Sequence, residues 1–301
     1  MFQSALLLSL ALNTKAHARE SIALLISDDI EEFNIAADAF IENATQNVEV
    51  FRIKGDRATA YRICDSLQTD SPPLVVAIGA KAAWTARQRL PTVPLVYAMV
   101  EHPERYGING ATVTGISLDA PPDLILSQFR LFSPETSSLA IFTSASINSP
   151  LIERARDTAE DLGYELSVFN VNNNKDLRKS LVYIHKNVDA IWLLPDDEVI
   201  TPDNFYSIHT TAVRNHMPTL ANSELLVKAG AFIGVTASYQ SIGKQAAQVS
   251  ERILGGDKSM YGSVLQPEEA QVVINIDTKK QIGIEVDPIV LSFANKQITN
   301  Q

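Results

Sequence analysis

The chain has 301 residues, 46% hydrophobic and 20% charged, and its 35 acidic against 25 basic side chains give a formal net charge of −10. This charge argues against a nucleic-acid-binding protein and against adhesion to anionic membranes, because phosphate recognition needs a basic face. The length allows two lobes with separate cores, and the single cysteine, Cys64, excludes an internal disulfide and is expected to be a buried small hydrophobe.

The N-terminal segment is typical of a secretory signal peptide. Ser4 to Leu12 is an apolar run, and Ala16-His17-Ala18 is a small-x-small triplet of the kind that signal peptidase accepts. The run is too short to span a bilayer as a stable helix. The alternative is the apolar N-terminus of a cytosolic protein, since no basic residue precedes the run. We predict a signal peptide over residues 1–18 and a mature chain beginning at Arg19.

Buried apolar runs then alternate with amphipathic stretches. The predicted strands are 21–26, 48–53, 74–79 and 94–100, and the predicted helices are 35–44, 59–67 and 80–90. Such alternation of strands and helices is typical of a parallel sheet covered on both faces.

The same pattern restarts after a strand-like stretch near residues 114–118. The predicted strands are 138–142, 165–171, 190–194 and 218–221, and the predicted helices are 149–162, 175–185 and 205–215. No low-complexity linker separates the two units, so we expect a hinge made of crossing strands.

The C-terminal part is too short for a third domain and is expected to complete the two lobes. It comprises predicted strands at 232–236 and 270–276, a helix at 239–254, and short helices at 278–282 and 289–296. The predicted fold class is therefore α/β, with two doubly wound parallel-sheet lobes joined by a multi-strand hinge. The predicted boundaries are 19–116 plus 237–266 for lobe 1 and 117–236 plus 267–301 for lobe 2.

Motifs for catalysis are absent from the sequence. There is no phosphate-binding loop, no GxGxxG after the first strand, no GxSxG and no HExxH. We therefore predict a protein that is not an enzyme and that uses no cofactor or metal. An exported enzyme that uses its acidic loops is the less favoured alternative.

Two acidic clusters follow buried strands directly, at residues 28–32 and 196–198. Carboxylates at these positions can cap the helices that follow, and their negative charge is stabilised by the positive end of the helix dipole. Ligands of open α/β sheets also bind at the carboxyl ends of the strands, so Asp29 and Asp196 are candidates for binding an ammonium group. The sequence leaves both interpretations open.

Other loops at the same predicted edge offer uncharged polar groups. Gly79-Ala80 opens a helix whose backbone N–H groups could meet a carboxylate, and the stretch 143–150 is rich in hydroxyl groups. Asn222-Ser223 follows another strand, and Phe33 and Tyr239 could form an apolar wall or belong to the core.

Several stretches together resemble a known family. They are 77–83, 93–103, 111–117, 148–149, 194–196, 227–231, 239–247, 253–257 and 280–284. Their residues, order and spacing are similar to those of bacterial ABC-transporter substrate-binding proteins, a family with tryptophan- and tyrosine-binding members and a type I periplasmic-binding fold.

The resemblance implies a periplasmic protein that captures a small polar ligand, an amino acid or a similar molecule, between two lobes and delivers it to an ABC permease in the inner membrane. A protein that presents its ligand state to a membrane receptor is the alternative. We expect a monomer. The expected ligand-binding residues are Ser27, Asp29, Phe33, Gly79, Ala80, Met99, Thr143, Ser144, Asn148, Asp196, Asn222, Ser223 and Tyr239.

Within that set, the expected roles follow from chemistry. Asp29 or Asp196 would hold the ammonium group of the ligand, and Ala80, Thr143 and Ser144 would hold its carboxylate. Met99 and Tyr239 would line the pocket for its side chain.

Overall fold

A computed structural model describes residues 21–101, 103–145 and 149–299. The predicted signal peptide at residues 1–18 and the candidate ligand-binding residue Asn148 lie outside the described residues.

Strands and helices alternate along the described chain. The strands are β1 Ile22–Ile26, β2 Val48–Arg52, β3 Val75–Ile78, β4 Leu95–Val100, β5 Val113–Ser117, β6 Ser138–Thr143, β7 Glu165–Asn170, β8 Ala190–Leu193, β9 Thr219–Ala221, β10 Ile233–Ala237, β11 Val264–Leu265, β12 Ala270–Asn275 and β13 Lys296–Ile298. The helices are α1 Glu31–Asn43, α2 Arg57–Asp70, α3 Ala80–Arg89, α4 Pro122–Phe132, α5 Ser149–Asp161, α6 Asn174–Ile184, α7 Pro202–Arg214, α8 Glu224–Lys228, α9 Tyr239–Leu254, α10 Ile276–Ile282 and α11 Pro288–Leu291.

Within the described residues, the strands form two sheets that match the predicted α/β class. The first sheet has the order β11-β5-β4-β3-β1-β2 and its paired strands are parallel. The second has the order β13-β12-β10-β9-β8-β6-β7. We call the first sheet with α1–α3 and α9 the first lobe, and the second sheet with α4–α8, α10 and α11 the second lobe.

The strands β1 to β5 of the first sheet send side chains into two separate cores, one on each face. Leu24 packs on one face with Phe40 of α1, whereas Leu25 packs on the other face with Cys64 of α2 and Ala82 of α3. Cys64 is buried and unpaired, and burial raises the pKa of its thiol to about 12. Helices therefore cover both faces, which explains the continuous apolar runs in the sequence.

The second sheet departs from the predicted parallel arrangement at one edge. Strand β12 runs antiparallel to β10, with Ala237 opposite Ala270, and β13 is parallel to β12. The chain leaves the second sheet at the end of β10 and re-enters at the same end, so the returning strand has to run in the opposite direction. The other paired strands of this sheet are parallel.

Several elements differ from the sequence predictions. Helices α4 and α8 and strand β11 were not predicted. The helix predicted at 289–296 is wrong beyond Leu291, because Lys296–Ile298 forms β13. Strand β13 exists through its pairing with Val273–Asn275, a contact between distant segments that local periodicity does not reveal.

The chain passes between the two sheets three times, after β5, after β10 and after β11. The second and third crossings are bonded to each other, since the Ser238 N–H donates to the Glu269 carbonyl at 2.9 Å. These crossings form the connection between the lobes, and the exact residue boundaries of the lobes stay a prediction. In the described part of the chain, no helix combines the length and the apolar character needed to cross a membrane.

Helices α1 and α9 approach each other most closely at Gly243. A Cβ atom at this position would overlap the carbonyl oxygen of Ala36 and would lie 2.9 Å from the Cβ of Ala39. Only glycine allows this approach, since the obstacle is backbone and cannot rotate away.

We expect Gly243→Ala to lower the free energy of unfolding by about 2 kcal/mol, because the two helices must move apart. Urea denaturation followed by circular dichroism measures the change. Gly255→Ala at the end of the same helix is the matched control and should stay within about 0.5 kcal/mol of the wild type. Equal losses in the two variants would contradict the packing argument.

Candidate functional site

The carboxyl ends of β1, β3 and β4 surround a cavity of about 320 Å³ in the first lobe. Its lining residues are Ile30, Glu32, Phe33, Ala80, Met99, Glu101, Tyr106, Leu118 and Tyr239. We call it the first-lobe cavity. Parallel strands place the loops after them at one edge, where ligands of such sheets bind.

A glycine and a serine shape one wall of the first-lobe cavity. Gly79 has a φ of 87°, and a Cβ there would lie 2.7 Å from the ring of Phe33 and from the Oγ of Ser27. The Ser27 Oγ accepts a hydrogen bond from the Ala82 N–H at 2.8 Å and so caps α3, which begins after a residue with no side chain. Ser27 and Gly79 therefore support the wall that Phe33 and Ala80 present.

Met99 reaches the cavity through an irregularity in β4. Tyr97 pairs with Gly115 and Val100 with Ser117, so two residues of β4 face one residue of β5. Met99 lies in this bulge with a φ of 58° and is buried. A bulge redirects the side chain of the extra residue, and here it directs the thioether to the cavity.

Two carboxylates, Glu32 and Glu101, line the cavity beside Tyr239. Neither makes a hydrogen bond or ion pair with any other residue in the ranges that the structure describes. Burial raises the pKa of the Tyr239 hydroxyl, and the negative charges of Glu32, Glu224 and Glu101 raise it further. The cavity thus combines aromatic walls with a negative potential.

A second cavity, of about 420 Å³, lies in the second lobe between β6, β7 and α5. Its lining residues are Thr143, Ser144, Ala145, Ile152, Glu153, Arg156, Val168 and Asn170. The Thr143 hydroxyl donates to Asn170 Oδ1 at 3.3 Å. The two expected residues Thr143 and Ser144 therefore lie together, in a different cavity from Met99 and Tyr239.

Asp196 is buried, and backbone groups already surround its carboxylate. Oδ2 accepts the N–H of Ser144 at 2.7 Å, and Oδ1 accepts the N–H groups of Glu198 and Val199 at 3.1 and 3.3 Å. These bonds hold the loop after β6 against the loop after β8. Such bonds compensate the burial of a charge, which gives Asp196 a structural task.

The remaining expected residues line neither cavity. The Asp29 side chain is 62% exposed and pairs with Arg52 at 3.4 Å. Asn222 Oδ1 accepts the indole N–H of Trp192 at 2.8 Å, and the Ser223 Oγ caps α8 by accepting the Leu225 N–H at 3.1 Å. A ligand contact from any of these residues stays a prediction.

Sequence reasoning missed several lining residues of the first-lobe cavity. Glu32 belongs to the acidic run that the sequence singled out, and Glu101 follows a strand of the same edge, so both had a signal. Tyr106 lies in a 3-10 helix and Leu118 at a crossing between the lobes, and no local pattern marks either. In the residues that the structure describes, no group of three His, Cys, Asp or Glu could hold a metal ion.

We expect Asp196→Ala to destabilise the protein by about 2–4 kcal/mol, because the Ser144 and Glu198 N–H groups lose this buried acceptor, whereas the Val199 N–H keeps its bond to the Asp196 carbonyl. Thermal unfolding measures the loss. Asp197→Ala, which removes an exposed carboxylate next to it, should stay within about 0.5 kcal/mol of the wild type. An Asp196→Ala variant as stable as the Asp197→Ala variant would show that these bonds contribute little.

Comparison with known proteins agrees with this architecture. The fold is similar to the ligand-free, open structure of a substrate-binding protein with adhesive properties from Clostridium difficile, with a TM-score of 0.71 and 15% identity over 94% of this chain and 100% of the other. It is also similar to an ABC domain in complex with L-Trp from Streptococcus pneumonia, with a TM-score of 0.50 and 18% identity over 92% and 100% of the two chains.

Sequence comparison gives the family. A tyrosine-binding protein of Clostridioides difficile (strain R20291) is 20% identical over 240 residues, which cover 77% of this chain and 69% of that protein. The family model for ABC transporter substrate binding proteins matches residues 36–298. With a match over most of its length, the chain belongs to the family of ABC transporter substrate-binding proteins.

Proposed function

We propose that the protein captures an amino acid or a similar small molecule in the periplasm, between its two lobes, and delivers it to the permease of an ABC importer. The observation that carries this proposal is the first-lobe cavity at the carboxyl ends of β1, β3 and β4. Its volume of about 320 Å³ and its walls from Phe33, Met99 and Tyr239 suit a molecule with an apolar body and a polar head.

The position of Leu118 and Tyr239 supports capture by closure of the lobes. Leu118 follows β5 at the first crossing between the lobes, and Tyr239 begins α9 just after the second crossing. A ligand in the cavity touches both residues and therefore the segments about which the lobes would rotate. Because the other lining residues belong to the first lobe, a ligand gains contacts to the second lobe only on closure, which favours the closed form.

Helix α8 is the part of the second lobe that we expect to approach the ligand. The Lys228 ammonium group bonds Glu224 at 2.8 Å, and this bond and charge raise its pKa, with smaller contributions from Glu32 and Glu31 of the first lobe. Leu225 on the same helix is 73% exposed. Closure would cover this side chain.

We expect a screen of amino acids, sugars and purines to find a ligand that raises the melting temperature of the purified protein. A ligand at one hundred times its Kd adds about 2.7 kcal/mol of stability. Tyr239→Ala should weaken binding by about tenfold or more, since an aromatic wall is removed.

Tyr261→Ala is the matched control, because Tyr261 is half-buried against the same core but does not line the cavity. Its Kd should stay within about twofold of the wild-type value. Equal losses of affinity in the two variants would show that the ligand binds elsewhere. Turnover of a bound ligand would favour an enzyme.

The periplasmic location has its own test. We expect protein recovered from the periplasmic fraction to begin at Arg19 on N-terminal sequencing. Ala18→Arg should leave an uncleaved precursor, because signal peptidase requires a small residue there, whereas Ala11→Val should be processed normally. A wild-type protein that keeps Met1 and stays in the cytosolic fraction would contradict export.

A further inference from the structure

We propose that the ligand carries a net positive charge. It would be an organic amine with an aromatic or large apolar body and no carboxylate, held by Glu32 and Glu101 of the first-lobe cavity. This inference rests on the proposed function, since it takes the first-lobe cavity as the binding site. It moves the ammonium-binding role from Asp29, which pairs with Arg52, and from Asp196, which accepts backbone N–H groups. The role passes to two carboxylates that make no hydrogen bond or ion pair in the described chain.

The charge balance of the cavity is one-sided. Glu32 and Glu101 are its acidic lining residues, and its lining contains no Lys or Arg. Both side chains are exposed, so water solvates them while the cavity is empty. Ligand binding and closure displace that water, and a carboxylate without water or a cation is unfavourable in an apolar site.

One ammonium group on the ligand replaces the lost water for the two carboxylates. A zwitterionic amino acid brings an ammonium group and also a third carboxylate into the same negative potential. An amine without a carboxylate avoids that repulsion. The rings of Phe33, Tyr106 and Tyr239 add faces that attract a cation and pack against an apolar body.

Lys81, which follows the lining residue Ala80, and Lys228, whose pKa Glu32 raises, both bond other groups. The Lys81 ammonium group donates to the Gly55 carbonyl, and the Lys228 ammonium group bonds Glu224. Lys296 also bonds Glu224, at 2.7 Å. Glu32 acts on Lys228 through its charge but forms no bond with it, so the carboxylate oxygens of Glu32 and Glu101 stay available to the ligand.

The N-terminus of α3 is a further positive group at the cavity, since Ala80 begins this helix and lines the cavity. Its Ala82 N–H is taken by Ser27 and its Ala83 N–H by the Gly79 carbonyl, which leaves the first two N–H groups of the helix for one ligand oxygen. A helix terminus is equivalent to about half an elementary charge, so it offsets only about a quarter of the two carboxylates. A neutral oxygen, such as a phenol hydroxyl, suits this end.

Matched ligand pairs test the inference. Tyramine and tyrosine differ by one carboxylate, as do tryptamine and tryptophan, and isothermal titration calorimetry gives the Kd of each. We expect at least one amine to bind more tightly than its amino acid by about tenfold or more. Glu32→Gln and Glu101→Gln should each weaken binding of that amine by about fivefold or more, because each removes half of the attracting charge.

The same substitutions should change amino-acid binding by less than about twofold, since they weaken the ammonium contact but relieve the repulsion of the ligand carboxylate. Glu31→Gln is the matched control. Glu31 is an exposed neighbour of Glu32 that does not line the cavity, and its substitution should change neither affinity by more than about twofold. Unchanged melting temperatures confirm that the exposed substitutions preserve the fold.

Each result of these titrations supports or overturns the inference that the ligand is cationic. Amino acids that bind as tightly as their amines, or amines whose affinity survives both Gln substitutions, overturn the charge inference and leave the proposed function standing. The same holds if a neutral molecule from the screen is bound and neither amine is. If no molecule of the screen and neither pair binds, the proposed function fails together with this inference.

Discussion

The close packing of α9 on α1 is the constraint on which the rest of the structure depends. Phe40 of α1 and Ile242 of α9 belong to the same buried cluster, so the core of the first lobe is complete only when α9 packs against it. Yet α9 follows β10, the tenth strand along the described chain and a member of the second sheet. The chain therefore runs through most of the second lobe before it completes the first and then returns to add β12 and β13 to the second, so repeated crossing between the lobes follows from this order.

The crossings that this order imposes also carry part of the site. Leu118 and Tyr239 lie at the first and second crossings and line the first-lobe cavity. The second crossing is tied to the third by the bond from Ser238 to Glu269, and Gln245 of α9 donates to the Gln266 carbonyl at 2.9 Å. A contact that displaces Tyr239 therefore acts on two connections at once. Under the proposed function, this connection would couple ligand binding to the relative position of the lobes.

The sequence was sufficient for the architecture but not for the distribution of charges. Continuous apolar runs such as Leu74–Ile78 predict buried parallel strands, because sheets covered on both faces need no polar alternation. In the acidic run at 28–32, the position of each carboxylate relative to the cavity depends on where α1 begins. The predicted start was Ile35 and the observed start is Glu31, which places Glu32 in the first turn and leaves Asp29 outside the helix, paired with Arg52.

The two kinds of carboxylate in this protein show why such distinctions need the tertiary structure. Asp196 and Glu32 both lie near strand ends, in similar acidic runs. Backbone N–H groups from two loops converge on Asp196, and these loops lie together only after β6 and β8 have paired. No such groups converge on Glu32 within the described residues. The same residue class thus fastens two loops together in the second lobe and, in our proposal, binds the ligand in the first.

Met99 links the shape of the sheet to the chemistry of the cavity. A φ of 58° in a residue with a side chain costs about 1–3 kcal/mol and persists only where neighbours enforce it. The neighbours are the pairs Tyr97–Gly115 and Val100–Ser117, and the Tyr97 ring occupies the space that any side chain at Gly115 would need. A β-branched residue at position 99 would add a steric penalty to the strained backbone, whereas the unbranched thioether adapts to the cavity and to whatever ligand packs against it. The close contact of Tyr97 with Gly115 and the bulge at Met99 therefore belong to one local arrangement, which ties the shape of this cavity wall to the pairing of β4 with β5.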